Sequence, residues 1–432
     1  MLSRESTLRR LTALVLLAVL ATGCATTQLP PVSATGAAFQ PLPDESQLWQ
    51  DARTEEQKML EEVTVYQDPL LVDYLDGVIQ RLNPAGMAAN SHLRYRITVL
   101  EDPTLNAFAF PHGAMYVHTG LLARMENEAQ LATVLGHEMS HVEYRHMVRH
   151  RRAMRNRQIG FAVASVAAAV IVAGEQGDAW EDGDYGKAAR IGVLSDIFVG
   201  LGLQLAFLAS VNGYGRDLEY EADQGAFRKL EATGYEPTQA AAVYNLLLDD
   251  HGESSELEVF FFGSHPQLSQ RVDTAEQWAT TVSSDDPHLG NQELFDRRIR
   301  PVVRDDARLN IALGRYQLAE AQLTRVLDAL PEDPEGHFLF ARLRLAQAEG
   351  IADPGEKAAL RGAARDALIE TLRLRAEHVA AQRELSLLDY AEGAYEAACL
   401  GFRRAIDLAP EAEETPRLRD YVLELDRDGY CP

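Results

Sequence analysis

The chain has 432 residues, with 41 Lys and Arg against 65 Asp and Glu and a formal net charge of −24. That balance excludes a nucleic-acid binder, because no basic face outweighs it. Three cysteines in a chain this long exclude a disulfide-built miniprotein, and 46% hydrophobic residues supply a sizeable core.

The N-terminal segment reads as a leader. Arg4, Arg9 and Arg10 precede an apolar run from Leu11 to Ala21, too short for a membrane span. Thr22-Gly23-Cys24 follows, and small residues before a cysteine look like a lipoprotein processing site that lipidates Cys24. Simple secretion, with cleavage near Ala21 or Ala25, is the alternative. The expected order is therefore a leader over 1–23 and a Pro/Thr/Ser/Ala-rich flexible tether over 24–45. The expected location is the periplasm. Ala25 lacks an inner-membrane retention aspartate, which favours a lipid anchor in the outer membrane.

A small sheet is expected next. Leu93 to Leu100 alternates and becomes β-branched near its end. Ala107 to Phe110 and Ala114 to His118 are short apolar runs separated by the turn signal Pro111-His112-Gly113. An edge strand can take up an extended polypeptide backbone by strand addition, and Asn106, Ala107, Phe108 and Ala109 are the candidates for this. An ordinary core hairpin is the other reading.

His137-Glu138-Met139-Ser140-His141 is the most informative segment. Two histidines four apart share one helix face and can hold one cation, and the adjacent glutamate stands where a general base belongs. Asn127 and Gln130 form a capping-box-like start, and Leu131, Val134, Leu135, Met139 and Val142 recur at helical spacing. A helix buried on that face holds its ligands still.

Beyond it, Arg145, Arg149, Arg151, Arg152, Arg155 and Arg157 precede apolar stretches from Ile159 to Ala173 and Ile191 to Val211. These stretches read as a lid or core hairpin, as a membrane-surface element over 145–211, or as spans; the first is short and the second is interrupted by Asp196 and Gln204. His146 and His150 lie among the arginines and are assigned no metal. His112 and His118 are likewise set aside.

A tetrahedral zinc site needs a third protein ligand. In Arg216 to Asp223, Glu219 and Asp223 share a helix face and Glu221 points elsewhere. Glu219 is assigned to zinc, one ion per chain, and Asp223 to the outer ring nitrogen of a ligand histidine. A solvated acidic face is the competing reading. No cysteine lies near these residues, so a thiol protease or Cys-rich zinc site is not expected.

The C-terminal third is repetitive. Gly314-Arg315-Tyr316, Ala319, Leu323 and Pro331 recur as Gly393-Ala394-Tyr395, Ala398, Phe402 and Pro410. Pro331 and Pro410 lie 79 residues apart, two periods of about 34 with 11 left over, which fits three tetratricopeptide-like helical pairs with an insertion around Gly350 to Lys357. Such repeats bind protein segments on a concave face, or simply cap the neighbouring domain. Cys399 and Cys431 are expected either to bridge, stapling the tail to the last repeat, or to remain thiols.

These motifs resemble one known family. His137 to His141 followed by Glu219-Tyr220-Glu221-Ala222-Asp223 is similar to the metallopeptidases of the CAAX prenyl protease, HtpX and Oma type. Asn106 to Pro111, Gly113 to Val117, and Ser264-His265-Pro266 with Arg271 extend the likeness over about residues 50–280. The leader and repeats make it most similar to the periplasmic BepA-like members with a C-terminal tetratricopeptide domain. Phe110 departs from the family, where a smaller aliphatic residue is common. The resemblance implies a mainly helical α+β fold: a zincin (gluzincin) domain with a small sheet over 46–290, then a helical solenoid over 291–432. It implies zinc on His137, His141 and Glu219, with Glu138 as base. It places His265 near the zinc, as an oxyanion donor or as an occupant of the open position; by itself a His before Pro is an ordinary loop residue.

The expected activity is zinc endopeptidase cleavage of misassembled outer-membrane or periplasmic proteins, with clients and assembly-machinery proteins recruited by the repeats. A chaperone or assembly scaffold with little proteolysis is the rival. A hydrolase of small molecules fits less well, because repeats and an edge strand imply protein substrates.

Overall fold

The computed structural model describes residues 26–83, 87, 90, 92–156, 216–249, 268–282 and 287–432. Cys24, the leader, His265 and both apolar stretches between 159 and 211 lie outside the described residues. Among the described residues, no helix is long and apolar enough to cross a membrane.

The described chain is helical with one small sheet. In order come α1 (Pro43–Glu62), α2 (Pro69–Leu82), β1 (Arg96–Leu100), β2 (Ala107–Ala109), β3 (Ala114–His118), α3 (Thr119–Arg124) and α4 (Glu128–Glu143). Then follow α5 (Arg216–Thr233), α6 (Thr238–Asp249), α7 (Leu268–Thr281), α8 (Gln292–Ala312), α9 (Tyr316–Ala329) and α10 (Pro334–Glu349). Last are α11 (Pro354–Leu374), α12 (Val379–Ala391), α13 (Tyr395–Leu408) and α14 (Thr415–Arg427).

The chain divides into two compact units. The first gathers Met1–Leu100, Thr104–His118 and Met125–Gln292; the second gathers Glu101–Pro103, Thr119–Arg124 and Glu293–Pro432. The division is thus not a single cut, since the short segments that follow β1 and β3 in the chain belong with the C-terminal helices.

In the first unit the strand order is β1-β3-β2, with β3 parallel to β1 and antiparallel to β2. The β2–β3 hairpin turns at Gly113, whose φ is +94° and where a Cβ would stand 2.5 Å from the Arg94 carbonyl oxygen. β2 is an edge of the sheet, and Phe108 stacks on Tyr116 of β3 with ring centroids 5.1 Å apart. Phe110, the departure from the family, is buried and meets both rings edge-on.

The stretch expected to remain a tether as far as residue 45 instead packs from Val32 onward. Val32 and Phe39 are buried with Trp49, Met87, Leu93 and Val142, after a helical turn at Val32–Thr35. A composition rich in small and polar residues hid two apolar anchors, enough to dock so short a segment. α1 begins at once, at Pro43, and its Glu45 carboxylate accepts the Leu42 N–H at 3.1 Å.

The second unit is a succession of helices joined by short turns. Gly314 and Gly393 both adopt left-handed φ, +75° and +81°, and each precedes a helix beginning at the tyrosine two residues on. Ala319 and Ala398, in matching places, are wholly buried. α11, which begins within the expected insertion around Gly350 to Lys357, has 21 residues where α9 and α13 have 14. Cys399 and Cys431 form a disulfide with Cα atoms 5.6 Å apart, fastening the end of the chain to α13.

Candidate metal centre and active site

α4 is the scaffold of the site. The Asn127 side chain caps it by accepting the Gln130 N–H at 3.0 Å. The reciprocal half of the expected box falls one residue upstream, where Gln130 accepts the Glu126 N–H at 2.9 Å. Every residue of α4 is buried, more than its apolar stripe alone implied. Glu128 in its first turn accepts from Tyr74 at 2.6 Å, Tyr235 at 2.7 Å and Arg81 at 2.8 Å, tying the helix to α2 and to the turn after α5.

α5 crosses α4 closely because small residues face each other. A Cβ on Gly225 would lie 2.4 Å from Ser140 Oγ, and one on Gly136 would lie 3.4 Å from Ala226 Cα. Buried Lys229 of α5 donates to Ser140 at 3.1 Å and to Glu143 at 2.5 Å. The approach brings Glu219 against the histidine pair.

His137, His141 and Glu219 are buried, and one ligand atom from each lies within 4.8 Å of the others. Glu219 Oε2 is 3.4 Å from His137 Nε2, and its Oε1 is 3.4 Å from His141 Nε2. The two histidine Nε2 atoms are 2.9 Å apart. A tetrahedral cation with bonds near 2.1 Å places its donors roughly 3.4 Å from one another, so the set fits zinc after a small spreading of the histidines. The donor chemistry fits as well: two imidazoles and one carboxylate leave a fourth position for water or substrate. Glu138 is buried between the histidines in sequence, in the same helical turn.

Asp223 takes the expected place, its Oδ1 2.8 Å from His137 Nδ1. Arg271 of α7 grips the same carboxylate, Nε to Oδ2 at 2.9 Å and Nη2 to Oδ1 at 2.7 Å, and Tyr244 of α6 donates to Oδ1 at 2.7 Å. Burial alone would raise the Asp223 pKa, but Arg271 and His137 bring it down to about 2. Burial and Arg271 oppose a charge on His137, yet its bonds to Asp223 and Glu219 raise it to about 9. Arg271 also packs over the Tyr244 ring at 4.4 Å and comes 3.7 Å from Glu219.

Residues 69–279 match the model of peptidase family M48. The chain carries an M48 metallopeptidase domain. Relatives bear this out. The beta-barrel assembly-enhancing protease of Escherichia coli (strain K12) is 28% identical over 217 residues, which are 50% of this chain and 40% of that protein. Its Yersinia pestis namesake is 25% identical over 287 residues, 64% of this chain and 50% of that protein. The mitochondrial metalloendopeptidase OMA1 of Schizosaccharomyces pombe is 25% identical over 205 residues, 48% and 52% of the two chains. The chain thus spans about half the length of these relatives.

The M48 domain uses residues that the reading of the sequence passed over. Arg271 was visible only as part of a family motif, and nothing in its spacing marks it as the partner of Asp223. His146, set aside among the arginines, is buried with its Nδ1 2.9 Å from His141 Nδ1, and burial lowers its pKa. Of the candidate strand residues, Ala107, Phe108 and Ala109 form the edge strand and Asn106 directly precedes it, with Ala109 near His141 in a small shared cavity. His112 and His118 serve elsewhere, on Glu56 at 2.9 Å and Thr104 at 2.8 Å. Four of the basic residues after α4 bind the unit's own carboxylates: Arg145 with Glu45, Arg149 with Glu221, Arg151 with Asp51 and Arg152 with Asp44.

Proposed function

We propose that the chain is a zinc-dependent endopeptidase of the cell envelope, lipid-anchored through Cys24, that cleaves misassembled outer-membrane or periplasmic proteins. The observation that carries the chemistry is the buried donor set His137, His141 and Glu219 with Glu138 in the same turn. Zinc bound there supplies Lewis acidity, polarising a peptide carbonyl and acidifying water. Glu138 accepts the water's proton on its carboxylate and passes it to the departing amine. Asp223 and Arg271 keep the His137 ring oriented with Nε2 toward the donor set. β2 presents an edge to which an extended substrate backbone can be added, with Asn106 to Ala109 as its contacts.

The substrate class is supported by the relatives' name, beta-barrel assembly-enhancing protease, and the compartment by the leader-like N-terminus. Client recruitment is supported by the helical pairs of the second unit, read as tetratricopeptide-like repeats. That unit has a groove of about 360 Å³ lined by Leu345, Leu387, Leu388, Arg342 and Arg361, which suits a protein segment. The same groove favours the second reading, an assembly scaffold with latent proteolysis.

Proteolysis of an unfolded protein substrate, measured together with zinc content, separates the two. Wild type is expected to hold one zinc and to cleave. Glu138→Gln is expected to hold zinc with activity lower by about two to four orders of magnitude. Activity within a few-fold of wild type in that variant would remove Glu138 from the mechanism. Zinc without activity in either form would favour the scaffold.

A further inference from the structure

The two histidine ligands have different outer partners, and one arises from a break in the helix. His137 rests on Asp223. His141 rests on His146, with ring centroids 4.9 Å apart and planes at 79°. In an unbroken helix a residue five positions on points about 140° away, so the two rings could not meet.

The meeting depends on Arg145. α4 ends at Glu143, Arg145 takes φ +60°, and a new helix begins at 146. A non-glycine residue in the left-handed region is disfavoured by its Cβ and persists only where its surroundings hold it. Here Glu45 of α1 holds it, with Arg145 Nε to Oε1 at 3.0 Å and Nη2 to Oε2 at 2.5 Å, while the guanidinium lies 5.4 Å over the Phe39 ring. Both charged groups are buried.

We infer that His146 is a positioning residue for the metal centre, its Nδ1 accepting a hydrogen bond from Nδ1–H of His141 and so fixing that ligand's tautomer and ring plane. The inference rests on the metal-centre reading above. A ring whose Nε2 lone pair serves a cation carries its hydrogen on Nδ1, so His141 is the donor at the 2.9 Å contact. His146 then carries its own hydrogen on Nε2, which faces Glu221 Oε2 at 3.4 Å. Glu221 is fixed in turn by Arg149 at 2.6 Å. α5 therefore supplies three carboxylates to one centre: Glu219 to the donor set, Asp223 behind His137, and Glu221 behind His146.

Zinc affinity by chelator competition on the full chain tests this, with metal-free unfolding recorded for each variant. His146→Phe fills the space but cannot accept, and is expected to weaken zinc binding by about 10- to 100-fold. His146→Asn puts an amide oxygen where Nδ1 stands and is expected to stay within about three-fold of wild type. Equal affinity in all three forms would overturn the inference, as would equal losses in both variants, which would reduce His146 to packing. Should His146→Phe not fold, Glu221→Ala decides on a partly exposed carboxylate: weaker zinc binding supports the relay and unchanged binding overturns it. A wild type that binds no zinc would instead overturn the metal centre itself.

Discussion

At the scale of single residues, Asp223 bears the most. Its carboxylate accepts from Arg271 and Tyr244 and lies against His137, so it is placed to orient that ring and to neutralise a buried guanidinium at once. Asp223→Asn removes the charge with little change of shape. We expect zinc affinity to fall by about 10- to 100-fold, because such outer partners set ligand orientation. The metal-free fold is expected to lose about 3–5 kcal/mol, since buried Arg271 loses its hydrogen-bonded carboxylate partner and keeps only Glu219 at 3.7 Å. Chelator competition and denaturant melts read the two effects separately, and wild-type zinc affinity in the variant would deny Asp223 its orienting role. This pairing was legible in the sequence because Glu219 and Asp223 are one helical turn apart. Arg271 was not, since no periodicity links residues on different helices.

At the scale of elements, two helix pairs matter. α4 and α5 approach across Gly225, where any Cβ would collide with Ser140 and Tyr144. Gly225→Ala is therefore expected to push α5 away and carry Glu219 with it. The expected result is zinc binding weakened about ten-fold or more despite a better helix former at 225, an ordering of effects in which packing exceeds propensity. A variant that binds zinc normally and melts higher would show that the helices can part without cost.

In the second unit, α8 buries Asp306, which accepts from Gln322 of α9 at 2.7 Å and from Asn310 at 2.8 Å. Burial outweighs these bonds and pushes its pKa from 3.8 up to about 6. A raised carboxyl pKa stabilises the fold below the unfolded value, and that contribution is lost as pH rises through about 6. The unfolding free energy is thus expected to be up to about 3 kcal/mol greater near pH 4 than near pH 7.5 from this group. Asp306→Asn should remove that share of the pH dependence; an unchanged profile by thermal melts in the two buffers would rule it out.

At the scale of the whole molecule, the Cys399–Cys431 disulfide closes a loop of sequence separation 32. Loop entropy assigns such a bond about 4 kcal/mol. Reduction, or Cys431→Ser, is expected to loosen α14 and the tail first, because they are joined to the remainder mainly through the cluster around Phe402, Leu418 and Leu425. Hydrogen exchange localised to 415–432 would show it. Exchange unchanged on reduction would mean that this packing suffices alone.

What the sequence determined by itself was whatever repeats at the spacing of one element. The histidine pair, the Glu219–Asp223 turn, the three strand runs and the glycine-tyrosine helix starts all lie within a turn or a strand, where geometry follows from residue order. The tertiary structure decided what has no such spacing. Arg271 reaches Asp223 from a separate helix, and Val32 and Phe39 dock a stretch whose composition reads as tether. His146 meets His141 because a buried glutamate from α1 stabilises a left-handed arginine. Each depends on a contact between segments far apart in the chain, where burial and charge pairing set the conformation and local propensity does not.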